Sequence, residues 1–216
     1  PAYIVPAQRA NRAPGDTMLI ESTLPISADA GKVNLLDLDL KGFEALVIEL
    51  GYKAFHGRNL FKWVHKHGLV DFEAMTDLSR ILRTRLSDAT EIRLPRIIHE
   101  QPSADGTRKW VMELSDGQRV ETVFIPEGTR STVCVSSQVG CALDCTFCAT
   151  ARQGFNRNLS VGEIVGQVWH ATRRLGAAPT NVVMMGMGEP LANFDAVVSA
   201  MSVMQDDLAY MISKHR

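Results

Sequence analysis

The sequence has few of the features that mark membrane or secreted proteins. None of its apolar runs approaches the roughly 20 residues that a transmembrane helix needs. Its first residues lack the charged-then-apolar order of a signal peptide. Its net charge is −1, so no overall field draws it to nucleic acid or to a membrane, and any basic surface must be local. We therefore expect a cytoplasmic protein with no membrane partner.

Cysteine is scarce, and its few copies are clustered. The 216 residues include four cysteines, at positions 134, 141, 145 and 148. Cys141, Cys145 and Cys148 have the spacing C-x3-C-x2-C, and Cys134 lies upstream of them. In a reducing compartment, clustered cysteines indicate metal or redox chemistry more often than disulfides.

Three kinds of site compete for these cysteines. Zinc sites usually pair one C-x2-C with a distant second Cys or His pair, and no His lies in this loop. Disulfides at such short spacing have poor geometry. An iron–sulfur cluster fits better, because a compact loop can give one thiolate to each of three irons. The fourth iron of a [4Fe-4S] cluster would then be open to a small molecule, whereas Cys134 as a fourth ligand would close it.

The rest of the sequence divides into three regions. Small residues and proline indicate a disordered or extended tail over 1–33. Helical periodicity over 34–94 predicts an N-terminal helical accessory domain, with Asp77 at the start of its third helix. The region 95–216 begins with alternating runs around Asp-Gly turns, which predict short antiparallel strands. These strands are expected at 96–101, 107–114 and 119–125.

Parallel βα units follow these strands. A buried strand is predicted at 131–138, then a helix that Ser160 and Glu163 begin with a capping box, a strand in "TNVVMMGMG", and a helix from Phe194 to Met204. The predicted fold class is α/β, a partial (β/α) barrel preceded by the small helical domain and an antiparallel β-hairpin extension. Two βα units cannot close a barrel, so we expect the sequence to be a piece of a longer protein.

The sequence segments around the cysteines resemble those of a known family. The three-cysteine motif with Phe147 before its last cysteine is similar to the signature of radical S-adenosylmethionine enzymes. Its surroundings, "CVSSQVGCALDCTFCATARQGFNRNLSVGEIVGQV" and "TNVVMMGMGEPLANFD", resemble the RlmN-type radical methyltransferases. The resemblance runs from about Asn34 to the C-terminus and includes "MTDLSRILRTRL", "SADGTRKW" and "QRVETVFIPE". It implies a radical enzyme that methylates carbon 2 of adenine in large-subunit ribosomal RNA and in transfer RNA.

The resemblance also implies two cofactors and their ligands. It assigns Cys141, Cys145 and Cys148 to a [4Fe-4S] cluster whose open iron binds S-adenosyl-L-methionine. It assigns Gly188 and Glu189 of "GMGEP" to the methionine part of that cofactor. Glycine lets a backbone come close, and a carboxylate suits an ammonium group. By position alone, Glu189 is equally well explained as a solvated residue in a turn after a strand.

Two further residues are implied in catalysis. Glu121 matches the base that removes the carbon 2 proton, and its neighbours Val120, Val123 and Phe124 predict a partly apolar setting that raises a carboxylate pKa. Without the family, an outward-facing strand glutamate is the simpler interpretation. Cys134 matches a thiol that releases the RNA adduct through a transient disulfide with a methyl-carrying cysteine downstream. By itself, Cys134 is more simply a small buried apolar residue.

A departure from the family pattern limits this expectation. The sequence has no cysteine after Cys148, so the methyl-carrying cysteine is absent from it. We expect this sequence alone to be inactive.

RNA contacts are expected in the helical domain. The segment "GRNLFKWVHKHG" concentrates Arg58, Lys62 and Lys66, which suits RNA phosphates and is equally compatible with a solvated basic face. The resemblance further implies a reducing electron donor such as flavodoxin, and a monomer. The alternatives are a Cfr-type enzyme that methylates carbon 8, a non-catalytic iron–sulfur RNA-binding fragment, and a closed-cluster electron carrier.

Overall fold

The computed structural model describes residues 31–213, so most of the predicted N-terminal tail lies outside the described residues. Val33, which the sequence analysis assigns to that tail, instead forms a strand. This strand, β1 (Val33–Asn34), pairs in parallel with β2 (Thr90–Glu91). Within 31–213, every helix is too short or too polar to span a membrane.

Between β1 and β2 lie three helices with one apolar side each. They are α1 (Leu40–Glu49), α2 (Phe55–His65) and α3 (Arg80–Ala89). The cap of α3 differs from the prediction, because Ser79 accepts a hydrogen bond from the N–H of Leu82 at 3.3 Å. Asp77 instead accepts the indole N–H of Trp63.

The remaining elements form one mixed sheet, a hairpin and two helices. The strands of the sheet, in spatial order, are β3 (Arg96–Pro102), β4 (Arg108–Glu113), β5 (Arg119–Glu127), β6 (Arg130–Cys134) and β9 (Asn181–Val183). The hairpin joins β7 (Gln138–Gly140) to β8 (Phe155–Asn158), and the helices are α4 (Val161–Leu175) and α5 (Phe194–Gln205).

The sheet joins the predicted β extension to the predicted βα units. Neighbouring strands are antiparallel from β3 to β6, and β6 and β9 are parallel. The three predicted antiparallel strands are confirmed. The mixed α/β class is confirmed too, as is the capping box that Ser160 and Glu163 form at the start of α4. The predicted strand at 131–138 is wrong in extent, because β6 ends at Cys134 and the chain turns into a separate hairpin at β7.

The sheet has one face against α4 and one open face. Side chains alternate along a strand, and on β5 the residues Val120, Thr122 and Phe124 are buried. The hydroxyl of Thr122 donates to a side chain of α4, so these three residues face that helix. Glu121 and Val123 therefore lie on the open face, where they are only partly buried.

Helix α4 also holds the helical domain in place. Arg173 donates to the carbonyl oxygens of His67 and Lys66 at 2.7 and 2.9 Å. The indole N–H of Trp169 donates to the carbonyl oxygen of Val64 at 3.1 Å. These carbonyls lie at or just after the C-terminus of α2, where a helix cannot satisfy its own acceptors. The position of α2 is thus fixed by side chains of α4.

A buried glutamine ties α4 to the sheet. Gln167 is fully buried. Its Oε1 accepts the Thr122 hydroxyl at 2.9 Å and the Ser136 N–H at 2.8 Å. Its Nε2 donates to the carbonyl oxygens of Ser136 at 2.9 Å and Glu163 at 3.1 Å. All the polar atoms of this amide are therefore used.

Replacing this glutamine should lower stability. Gln167→Ala leaves the Ser136 N–H and carbonyl buried without a partner, and each such group costs about 1–3 kcal/mol. The Thr122 hydroxyl keeps only the sulfur of Met112, a weak acceptor 3.7 Å away. We expect the free energy of unfolding, measured by denaturant titration, to fall by at least about 2 kcal/mol. The matched control is Gln101→Ala on the exposed side of β3, with an expected change within about 0.5 kcal/mol. Equal effects of the two substitutions would contradict the role of Gln167.

Candidate active site

Two segments meet at the carboxyl ends of β6 and β9. One is the cysteine loop (141–150), and the other is the "GMGEP" segment (186–190). The Gly186 N–H donates to the Val135 carbonyl at 3.0 Å, and the Ser137 N–H donates to the Met187 carbonyl at 2.9 Å. The carboxyl ends of parallel strands are where α/β sheets bind ligands. The parallel pairing thus brings the two predicted cofactor segments to one edge.

The β7–β8 hairpin closes the cysteine loop. Gly140 has φ of +73°, and a Cβ at this position would lie 1.7 Å from the carbonyl oxygen of Gly154, so this approach requires glycine. The Cys141 N–H donates to the same oxygen at 3.2 Å, and the Cys148 N–H donates to the Cys145 carbonyl at 3.0 Å. The backbone of the loop is therefore tied at its ends while its middle is largely exposed.

The cysteines suit a metal in their chemistry. All four are free thiols. The N–H groups of Ala151 and Thr150 lower the pKa of Cys148, which favours the thiolate that binds metal. Within 31–213, no three Cys, His, Asp or Glu side chains are gathered as ligands, so binding requires the loop to draw its thiols together. Three thiols in one loop without a competing His are a donor set for an iron–sulfur cluster.

The "GMGEP" segment has a special backbone and a capping carboxylate. Gly188 has φ of +95°, and a Cβ there would lie 2.4 Å from Cβ of Gln138, so only glycine fits. Glu189 accepts the N–H of Leu191 at 3.0 Å and caps a short 3-10 turn. It is thus not merely a solvated side chain. A carboxylate can accept several hydrogen bonds, so this cap leaves capacity for an ammonium group.

Glu121 and Cys134 share the open face of the sheet. Cys134 pairs with Val123 across β5 and β6, and Glu121 lies two positions from Val123 on the same side of β5. Cys134 is about half-buried, and this burial raises the pKa of its thiol. The Cys134 thiol therefore stays protonated at neutral pH.

The surroundings of Glu121 differ from the prediction. Its carboxylate lies 2.6 Å from Nζ of Lys109, and 46% of its side chain is exposed. Of its three expected apolar neighbours, Val120 and Phe124 are buried on the opposite face, because side chains alternate along the strand. Val123 shares the face of Glu121, and so does Val111, its partner on β4.

Sequence reasoning missed the polar side chains that connect these parts. The Ser136 hydroxyl donates to the Glu121 carbonyl at 2.7 Å and accepts the Met187 N–H at 2.9 Å. The Asn193 amide donates to the Ser137 carbonyl at 2.9 Å. The sequence feature that pointed to these contacts was the polar run "SSQ" inside a predicted buried strand, because buried polar groups need hydrogen-bond partners.

The basic residues of α2 are not all available for RNA. Arg58 makes an ion pair with Glu44 at 2.7 Å. Lys62, on α2, and Lys66, the residue that follows this helix, are exposed, and Lys66 Nζ donates to the Asp207 carbonyl at 3.4 Å. His65 is buried, and burial lowers its pKa to about 3, so it carries no charge at neutral pH.

Two protein-family models match the chain. The family model described as "Ribosomal RNA large subunit methyltransferase N-terminal domain" matches residues 33–92, and that of the "Radical SAM superfamily" matches residues 135–213. A crystal structure of a radical SAM methyltransferase from Sphaerobacter thermophilus superposes with a TM-score of 0.78 at 38% identity. The match covers 85% of this chain and 55% of that protein. This likeness confirms the predicted partial barrel.

Curated relatives named "Dual-specificity RNA methyltransferase RlmN" are similar over most of the chain. The protein of Stenotrophomonas maltophilia (strain K279a) is 56% identical over 203 residues, which are 89% of this chain and 51% of that protein. The protein of Xylella fastidiosa (strain Temecula1) is 52% identical over 213 residues, 94% of this chain and 52% of that protein. The chain thus spans about half the length of the curated relatives it matches. From these matches and the shared fold, the chain belongs to the RlmN family of the radical SAM superfamily.

Proposed function

We propose that this chain carries the cofactor-binding part of a radical S-adenosyl-L-methionine RNA methyltransferase. The proposed product is adenine methylated at carbon 2, in large-subunit ribosomal RNA and in transfer RNA. One observation carries the proposal: residues 135–138, which lead into the cysteine loop, are hydrogen-bonded to the "GMGEP" segment at the carboxyl ends of β6 and β9. Glu121 and Cys134 lie on the open face of the same sheet.

The cofactors have assigned positions in this proposal. Cys141, Cys145 and Cys148 hold a [4Fe-4S] cluster. When bound, that cluster supplies the electron that cleaves S-adenosyl-L-methionine and so opens a radical route to a carbon that ordinary methyl transfer does not reach. Gly188 lets the backbone approach the methionine part of the cofactor, and the Glu189 carboxylate accepts hydrogen bonds from its ammonium group.

The open face of the sheet carries the residues for proton transfer and for release of the RNA. Glu121 takes the proton from carbon 2 of the adenine, and its ion pair with Lys109 orients the carboxylate on that face. The Cys134 thiol keeps its proton at neutral pH because burial raises its pKa. It releases the RNA by giving up that proton and forming a disulfide with the sulfur of a methyl-carrying cysteine from outside this sequence. The carbon–sulfur bond of the adduct breaks, and its electron pair and a proton complete the methyl group on carbon 2.

The proposal extends to partners and location. The exposed lysines of α2 contact RNA phosphates, and a reducing protein such as flavodoxin supplies the electron. We place the protein in the cytoplasm, as a monomer without a membrane partner. The matches to RNA methyltransferases support the RNA contact.

Mapping the methylated atom tests this function. Protein expressed from the complete gene is loaded anaerobically with iron and sulfide, then given reductant, S-adenosyl-L-methionine with a labelled methyl group, and unmodified RNA. We expect 2-methyladenosine, identified by mass spectrometry against 2-methyl and 8-methyl standards. Glu121→Gln should lower the yield by roughly 100-fold or more, because it removes the base. A methyl group on carbon 8, or no transfer by the loaded protein, would overturn the proposal.

Reversing charge on α2 tests the RNA contact. Lys62→Glu combined with Lys66→Glu should weaken RNA binding by about 10-fold or more at low salt, because two phosphate contacts become repulsions. The slope of log affinity against log salt concentration should become shallower by about 1–2. The control is Arg130→Glu at the first residue of β6, which changes one exposed charge elsewhere. If the double variant kept the parent's affinity and salt dependence, α2 would not be the docking face.

A further inference from the structure

Gln138 lies where the cysteine loop and the "GMGEP" segment meet. It is 2% exposed. Its Oε1 accepts the backbone N–H of Glu189 at 2.8 Å, and its Nε2 donates to Oδ1 of Asn158 at 2.8 Å. Its own N–H donates to the Met187 carbonyl at 3.1 Å. Gln138 thus contacts the "GMGEP" segment through main-chain and side-chain atoms, and β8 through its side chain.

The direction of these hydrogen bonds is fixed by chemistry. A backbone N–H can only donate, so the amide oxygen of Gln138 must face Glu189. The amide nitrogen must then face Asn158, which is paired with Gln138 across the β7–β8 hairpin. That hairpin closes the cysteine loop. The side chain of Gln138 therefore connects the base of the cysteine loop to the backbone of Glu189.

The shape of the "GMGEP" segment follows the Gln138 side chain. A Cβ on Gly188 would lie 2.4 Å from Cβ and 2.7 Å from Cγ of Gln138. The segment from Met187 to Glu189 thus wraps round this side chain, with its hydrogen bonds to Gln138 on either side of Gly188. The proposed contact of Gly188 and Glu189 with the cofactor requires this backbone path.

We propose that Gln138 is a positioning residue for S-adenosyl-L-methionine. It holds the backbone of Glu189 in register with the cysteine loop, so that the carboxylate and the open iron reach the same methionine group. It acts through Glu189 and does not itself contact the cofactor. This inference rests on the proposed function for its ligand, whereas the link between the two segments stands on the hydrogen bonds alone.

Two substitutions separate the hydrogen bond from the volume of the side chain. Gln138→Met keeps a similar volume against Gly188 and removes the acceptor for the Glu189 N–H. Gln138→Glu keeps that acceptor, and rotation of the Asn158 amide lets it donate to the new carboxylate. The control is Thr90→Val, which removes a buried hydrogen bond to the Leu86 carbonyl at the end of α3 and keeps the size of the side chain.

Three measurements are made on protein expressed from the complete gene. These are the iron content after anaerobic loading, the Kd of S-adenosyl-L-methionine by equilibrium dialysis, and hydrogen exchange of the amides of 187–191. We expect Gln138→Met to raise the Kd about 10-fold or more, with iron unchanged and faster exchange at 187–191. Gln138→Glu should stay within about 3-fold of the parent's Kd. Thr90→Val should change neither the Kd nor this exchange.

The failures of the two proposals can be told apart. If the iron-loaded parent did not bind S-adenosyl-L-methionine, the proposed function would fail, and hydrogen exchange would still test the link through Gln138. If the parent bound it and Gln138→Met bound it equally well, only the positioning role would fail. Equal weakening by Gln138→Met and Thr90→Val, or loss of iron in step with loss of binding, would also overturn that role.

Discussion

The parallel pairing of β6 with β9 is the constraint on which the rest of the site depends. It is short, from Thr132 opposite Asn181 to Cys134 opposite Val183. It nevertheless brings together two segments that are far apart in sequence, because parallel strands deliver their carboxyl ends to one edge. Gln167 holds α4 against one face of the sheet. The opposite face is left open for the side chains that we propose meet the RNA base.

Local signals in the sequence were enough for much of the fold. The Ser160–Glu163 capping box predicted the start of α4, and the Asp-Gly turns with alternating runs predicted the antiparallel strands. Both depend on residues close together in the chain, so no tertiary contact is needed to infer them. The cysteine loop and Glu189 were likewise found from short sequence motifs. Their roles remain predictions, although the structure brings the two segments to one edge.

Features that depend on distant contacts could not be predicted in the same way. Asp77 has the residue type of a helix cap but is engaged by Trp63, which no local pattern reveals. The neighbours of Glu121 looked apolar in sequence, yet alternation puts Val120 on the other face and pairing brings Lys109 beside the carboxylate. Gln138 was overlooked altogether, because its importance rests on a contact with Glu189, 51 positions away.

The central claim is that three cysteines, without Cys134, and the adjoining "GMGEP" segment form one site for a cluster and its cofactor. It is tested most directly by assaying 5′-deoxyadenosine from anaerobically loaded protein given reductant and S-adenosyl-L-methionine. The complete protein is compared with its Cys134→Ala and Cys145→Ala variants. The account predicts product from the parent and from Cys134→Ala, and none from Cys145→Ala. Loss of product in Cys134→Ala, or no product from the loaded parent, would contradict it.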